Sequence, residues 1–200
     1  MAGTVHTLEP VAWLHLRIAL RWVAPEVWRV VVVPETITLN HLHHVIQAAM
    51  GWSGGHLHEF IIGGRHYGTP DPDGWDRSAV TSEKGVALLK VLGRGKRLTY
   101  LYDFGDGWEH TVAVGRRVPP PPTQKRAPVL CLAGENACPP EDVGGPPGYE
   151  EFLLAIADPT HEEHEHMLEW CGGEFDPTRC DLEMINQRLA ELRIPTMSRR

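Results

Sequence analysis

The chain has 200 residues, 42% of them hydrophobic and 22% charged, with a formal net charge of −7. Such proportions describe a globular protein with a sizeable core and exclude a disordered tail, a collagenous repeat and a disulfide scaffold. The charge also argues against non-specific binding of bulk nucleic acid, although 12 histidines make it depend on pH.

Residues 1–10 lack the basic flank and apolar core of a secretory signal, and no apolar run reaches the roughly 18 residues of a membrane span. Cys131, Cys138, Cys171 and Cys180 are then expected to be reduced thiols in a cytoplasmic protein.

Residues 13–22 alternate strictly, with Leu14, Leu16, Ile18, Leu20 and Trp22 on one face and His15, Arg17 and Arg21 on the other. This predicts a strand with one wet face. Pro25 ends it, and residues 27–33 predict a second strand, the two forming a hairpin at one end of an antiparallel sheet. Thr38 as N-cap, an apolar stripe from Leu39 to Ala49 and Gly51 as terminator predict a helix over 39–50. Residues 58–62, the Gly63-Gly64 turn and residues 65–67 predict a hairpin, followed by a surface loop over 68–82. Residues 97–103 and 108–114 alternate around Phe104-Gly105-Asp106-Gly107 and predict another hairpin. Residues 119–127 read as a loop or stiff tether, and 128–134 as a further strand. Helices are predicted from Tyr149 to Ala157, after a Thr160–Glu163 capping box, and over 181–192. The expected fold is α+β: a mostly antiparallel sheet in the first two thirds with one helix inserted, and helices at the C-terminus. One domain is expected over 1–200, with its core at about 13–192 and flexible ends.

Three segments carry chemistry-bearing side chains. Around the turn at 103–107, Asp103, Asp106 and His110 suit one cation, and Asp103 with His110 suits an acid/base pair. A structural reading stands beside these: Asp satisfies turn amides, Gly105 and Gly107 take positive φ, and Phe104 and Trp108 pack the turn onto the core. In a strand, His56 and His58 point to one side and could share a metal, whereas His41, His43 and His44 read as the wet face of a helix. The candidate metal ligands are thus His56, His58, Asp103, Asp106 and His110, for a divalent ion. Glu141 and Asp142, adjacent in a Pro/Gly-braced loop, suit a cation or the cap of the next helix. The Cys131–Cys138 spacing is unspecific for thiolate ligation, and the His/Glu run at 161–166 lacks a metalloprotease register.

Residues 37–60 (ITLNHLHHVIQAAMGWSGGHLHEF), 100–110 (YLYDFGDGWEH), 138–153 (CPPEDVGGPPGYEEFL) and 175–186 (FDPTRCDLEMIN) together resemble the plasmid pRiA4b ORF-3-like family. Its members are bacterial and archaeal and are also labelled TnpR-like transposon passengers. The resemblance implies a compact α+β domain and a link to plasmids and mobile elements, with no assigned reaction. It places emphasis on His56, His58, Asp103, Asp106, Trp108, His110, Glu141 and Asp142. The chain departs from the family pattern at Val143, where many members carry Cys, and at Cys180, where many carry an aromatic residue. Resolvase chemistry, implied by the TnpR label, is rejected: Ser53 has no clustered arginines beside it, and the last helices are acidic.

The expected function is a non-enzymatic binding or accessory module with a protein partner, its groove lined by Trp52, Tyr102 and Trp108. The alternative is a metal-dependent hydrolase using Asp103, Asp106, His110, Glu141 and Asp142, with His56 or His58 as nitrogen ligands. Direct nucleic-acid binding by the basic middle of the chain is the weakest reading.

Overall fold

The structure is a computed structural model that describes residues 12–70, 80–119 and 129–195. Strands β1 (Trp13–Leu20) and β2 (Trp28–Pro34) pair antiparallel, with Leu14 opposite Val33. Leu14, Leu16, Ile18 and Leu20 share one face of β1 and all are buried, as the period of two requires. Helix α1 (Leu39–Met50) lays Leu39, Leu42, Val45, Ile46 and Ala49 into the same core. Gly51 ends α1 in the left-handed region, φ 96°, and donates its N–H to the Gln47 carbonyl. Thr38 holds the N-cap position, but its hydroxyl meets Asn40 and His41 instead of a helix amide.

Next come β3 (His58–Ile62), β4 (Arg65–Gly68), the two-residue β5 (Thr81–Ser82) and the short helix α2 (Leu88–Leu92). They are followed by β6 (Arg97–Tyr102), β7 (Trp108–Val118) and β8 (Leu130–Glu135). The chain then turns helical, with α3 (Gly145–Ala157), α4 (His164–Trp170) and α5 (Leu182–Glu191). The strands form one sheet in the order β5-β4-β3-β6-β7-β1-β2-β8, antiparallel throughout except for β4 with β5. The expected α+β architecture is therefore the observed one. Tyr100, Tyr102, Trp108 and Val112 from β6 and β7 complete the core. At the β8 edge, the Asn186 amide of α5 accepts from the Cys131 N–H (2.8 Å) and donates to its carbonyl (3.0 Å). Those two backbone groups are thereby withheld from a foreign strand.

Several boundaries differ from expectation. The β1–β2 pair is not the end of the sheet, because β8 joins outside β2. Helix α2 lies between the expected loop at 68–82 and the expected hairpin at 97–114, in a stretch for which no element is predicted. Helix α3 starts at Gly145, four residues early, since prolines in a first turn lack only amides that would have no helical partner. The Thr160–Glu163 capping box does not form: Thr160 Oγ1 donates to Asp158, and α4 begins only after Glu163. Most of the expected tether at 119–127, residues 71–79 of the expected loop and most of the expected flexible ends lie outside the described residues, but Ile194, beyond the expected core, is buried in it. Among the described residues no helix is long and apolar enough to cross a membrane.

Candidate metal centre

Three loops meet where β6 ends and β3 and β7 begin: the α1–β3 loop, the β6–β7 turn and the β8–α3 loop. The Asp103 N–H donates to the Leu57 carbonyl (2.8 Å), which extends the β3–β6 ladder by one bond and fixes the first two loops together. The third loop is tied down by side chains. Trp52 Nε1 donates to the Pro139 carbonyl at 2.9 Å, the Ser53 N–H to Glu141 Oε2 at 2.9 Å, and the Tyr102 hydroxyl to Glu141 Oε1 at 2.6 Å. Asp106 Oδ2 accepts from the Gly144 N–H at 3.3 Å, and a side chain on Gly145 would collide with the Asp106 carbonyl. Backbone presses on backbone there, so the position has to be glycine.

This bracing sets His56 between two aspartates. Its Nδ1 lies 3.5 Å from Asp103 Oδ2 and its Nε2 lies 3.3 Å from Asp142 Oδ1. Each of the three residues offers one ligand atom, and these atoms all fall within 4.8 Å of one another. The side chains grade outward, Asp103 12%, His56 35% and Asp142 70% exposed, so the centre faces solvent on the Asp142 side. Both aspartates stand in the left-handed region, φ 55° at Asp103 and 61° at Asp142. Asp tolerates that conformation better than most residues, and Asp103 supports it by accepting the Gly105 N–H (2.9 Å) on Oδ1. Asp103 Oδ2 is thereby left to face the histidine.

Beside the triad, burial alone pushes the Glu141 carboxyl up, but the bonds from Tyr102 and Ser53 outweigh it and hold the group below its ordinary range. Burial, followed by the bond to Glu141, raises the Tyr102 hydroxyl well above its ordinary value. The pair is a fixed donor and acceptor that locks the loop bearing Asp142 to β6.

Of the five expected metal ligands, the structure brings His56 and Asp103 together and adds Asp142. Asp106 is used on the Gly144 amide. His58 turns away, because strand alternation starts only at residue 58: its Nε2 meets the buried Glu83 carboxylate at 3.0 Å. Its ring stacks on His43 at 3.6 Å. His43, expected on a wet face, is itself buried and bonds the Tyr100 hydroxyl at 2.8 Å. His110 is fully buried, edge-on to Trp52, and its Nε2 has no partner among the described residues. Trp52, Tyr102 and Trp108 are core residues and do not line a groove, while Phe104 is exposed instead of packed. Among the described residues no other group of His, Cys, Asp and Glu converges in this way. Glu83 had no visible signal in the sequence, as its partner comes from a strand 25 residues away.

The chain is 44% identical over 181 residues to "Uncharacterized protein y4hQ" of Sinorhizobium fredii (strain NBRC 101917 / NGR234), covering 90% of this chain and 91% of that one. It is similar to the crystal structure of "Protein of Unknown Function MM3350" from Methanosarcina mazei Go1, with a TM-score of 0.77 and 34% identity. That match covers 86% of this chain and 97% of the other. Residues 12–184, which include all three loops of the centre, match the pattern of one family. The chain belongs to the plasmid pRiA4b ORF-3-like protein family.

Proposed function

We propose that this protein is a non-enzymatic binding module, an accessory factor of mobile elements, whose working centre is a divalent cation held by His56, Asp103 and Asp142. The observation that carries the reading is the convergence of one imidazole and two carboxylates from three separate loops, with ligand atoms within 4.8 Å. At 3.5 and 3.3 Å, the imidazole-to-carboxylate separations are long for hydrogen bonds between these groups. Two like charges gather around one ring, and a cation of zinc or manganese type would satisfy both with this nitrogen and oxygen donor set. Binding is favoured over turnover because the nearest proton-carrying groups are already committed: Glu141 uses both oxygens on protein donors, and the Tyr102 hydroxyl is spent on Glu141. Leu57 and Phe104, both exposed, flank the centre and suit contact with a protein partner.

The test is calorimetric titration of zinc and manganese into tag-free protein and into His56→Gln and Asp142→Asn proteins. One equivalent bound by the unsubstituted chain and lost in both variants supports the reading; equal binding by all three overturns it. A metal-dependent hydrolase is the second reading, favoured by one observation: three protein ligands and a solvent-facing Asp142 leave coordination positions for a water. Hydrolysis of phosphoester or peptide substrates by metal-loaded protein, abolished in Asp142→Asn, would move the conclusion to it.

A further inference from the structure

A cavity of about 260 Å³ opens beside the centre. Asp142, which turns Oδ1 toward His56, also lines this cavity, so the cation position and the cavity share a wall. Phe152, Met167 and Trp170 supply the apolar walls, and Glu151 and His166 the remaining polar ones. Phe152 meets Trp170 edge-on at 6.0 Å and orients the indole, while Trp170 stays 44% exposed and keeps surface for a ligand. Among the described residues no lysine or arginine lines the cavity, and His166 is turned by Nδ1 to Glu163 at 2.8 Å. An indole beside the Glu151 carboxylate, with His166 held by Glu163, is complementary to an organic cation. A cation held by the three protein ligands His56, Asp103 and Asp142 would have coordination positions to spare for an oxyanion.

We propose that the metal centre and this cavity are two halves of one binding site for an amino-acid-like ligand with a basic side chain. The guanidinium or ammonium lies against Trp170, between Asp142 and Glu151, and the α-carboxylate lies on the cation. The proposal rests on the metal reading above. A free basic amino acid and the C-terminal residue of a peptide carry the same chemistry.

The experiment loads the tag-free full chain with zinc, then titrates L-arginine, Gly-Gly-Arg and the amide of Gly-Gly-Arg. Trp170→Leu and Glu151→Gln are the variants, both at exposed positions and neither a metal ligand. All three proteins should bind zinc equally. Zinc-loaded unsubstituted protein should bind L-arginine or Gly-Gly-Arg, the tighter of the two identifying the source. Each variant, and removal of the carboxylate from the peptide, should weaken binding by about tenfold or more. The proposal is overturned if zinc binds but neither arginine ligand does, or if Trp170→Leu binds as tightly as the unsubstituted chain; the metal centre then stands without it. Failure to bind either zinc or manganese removes the metal reading itself.

Discussion

Replacing Tyr102 by Phe deletes one hydroxyl and leaves the ring in place, stacked on Trp52 at 5.0 Å. The hydroxyl donates to Glu141 at 2.6 Å, a bond to a charged acceptor that is worth about 1.5–3 kcal/mol when deleted. Glu141 is partly exposed, so water replaces some of the loss and the cost should fall near the lower figure. The same deletion loosens the loop carrying Asp142, and up to about 1.4 kcal/mol of it would appear as a tenfold weaker cation. Glu141→Ala removes the acceptor and also the bond from the Ser53 amide, so it should cost more than Tyr102→Phe. Urea unfolding of the two single variants and the double variant closes a cycle whose coupling should be about 1–2 kcal/mol. A coupling below about 0.5 kcal/mol, within ordinary additivity, would show that the Tyr102–Glu141 bond does not hold the loop.

Arg29 is buried and donates to the carbonyls of Ala49, Trp28, Glu135 and Asn136 at 2.7 to 3.2 Å, so Arg29→Met should cost about 3–5 kcal/mol in urea unfolding. A loss under about 1 kcal/mol would contradict the bonding described. Gly145→Ala should destabilise by more than about 1 kcal/mol and impair cation binding, whereas Gly85→Ala, at a similar φ of +73° but with nothing within 4 Å, should bear only the backbone cost. Equal losses in the two would refute the contact with Asp106. Acid should also destabilise the fold through two histidines. Burial lowers His110 to about 4, and burial with His58 and His44 lowers His43 to about 3, while unfolded histidines titrate near 6.5. Between pH 6.5 and those values the unfolded chain binds more protons, so stability falls as pH falls, by about 2 kcal/mol per group from pH 7.5 to 5. His110→Phe should shrink that pH-dependent loss by about 2 kcal/mol, measured from urea midpoints; an unchanged loss would contradict it.

The elements legible in the chain are those whose signal is local. The apolar stripe from Leu39 to Ala49 and the glycine after it define α1 without help from elsewhere, and the strict alternation around residues 103–107 defines β6 and β7. Helix α2 was hidden because its five residues are too few for a period to show. The site was half legible. His56, Asp103 and Asp142 each stand among turn residues that draw attention, but His56 meets Asp103 only because β3 and β6 lie side by side, and Asp142 joins them only because Glu141 ties the β8–α3 loop to Tyr102 and Ser53. His58 shares the motif with His56 yet points elsewhere, since the first residue of β3 separates the two environments. His43 sits one position from the apolar stripe, and only its partners on distant strands, Tyr100 and His58, explain its burial. Local pattern also could not separate Phe104 from Trp108, one exposed and the other buried at opposite ends of the same turn.

Metal content of the purified chain is the most direct test of the centre. The protein would be prepared without a histidine tag or chelator and analysed by mass spectrometry beside Asp103→Asn and Asp142→Asn proteins. Asn is chosen because it tolerates the positive φ at both positions and keeps an acceptor for the Gly105 amide. One equivalent of zinc or manganese in the unsubstituted protein, lost in both variants while their unfolding midpoints hold, is the predicted result. A chain that carries no metal and binds none on titration, or that keeps its metal in both variants, would contradict the assignment of His56, Asp103 and Asp142 as a cation site.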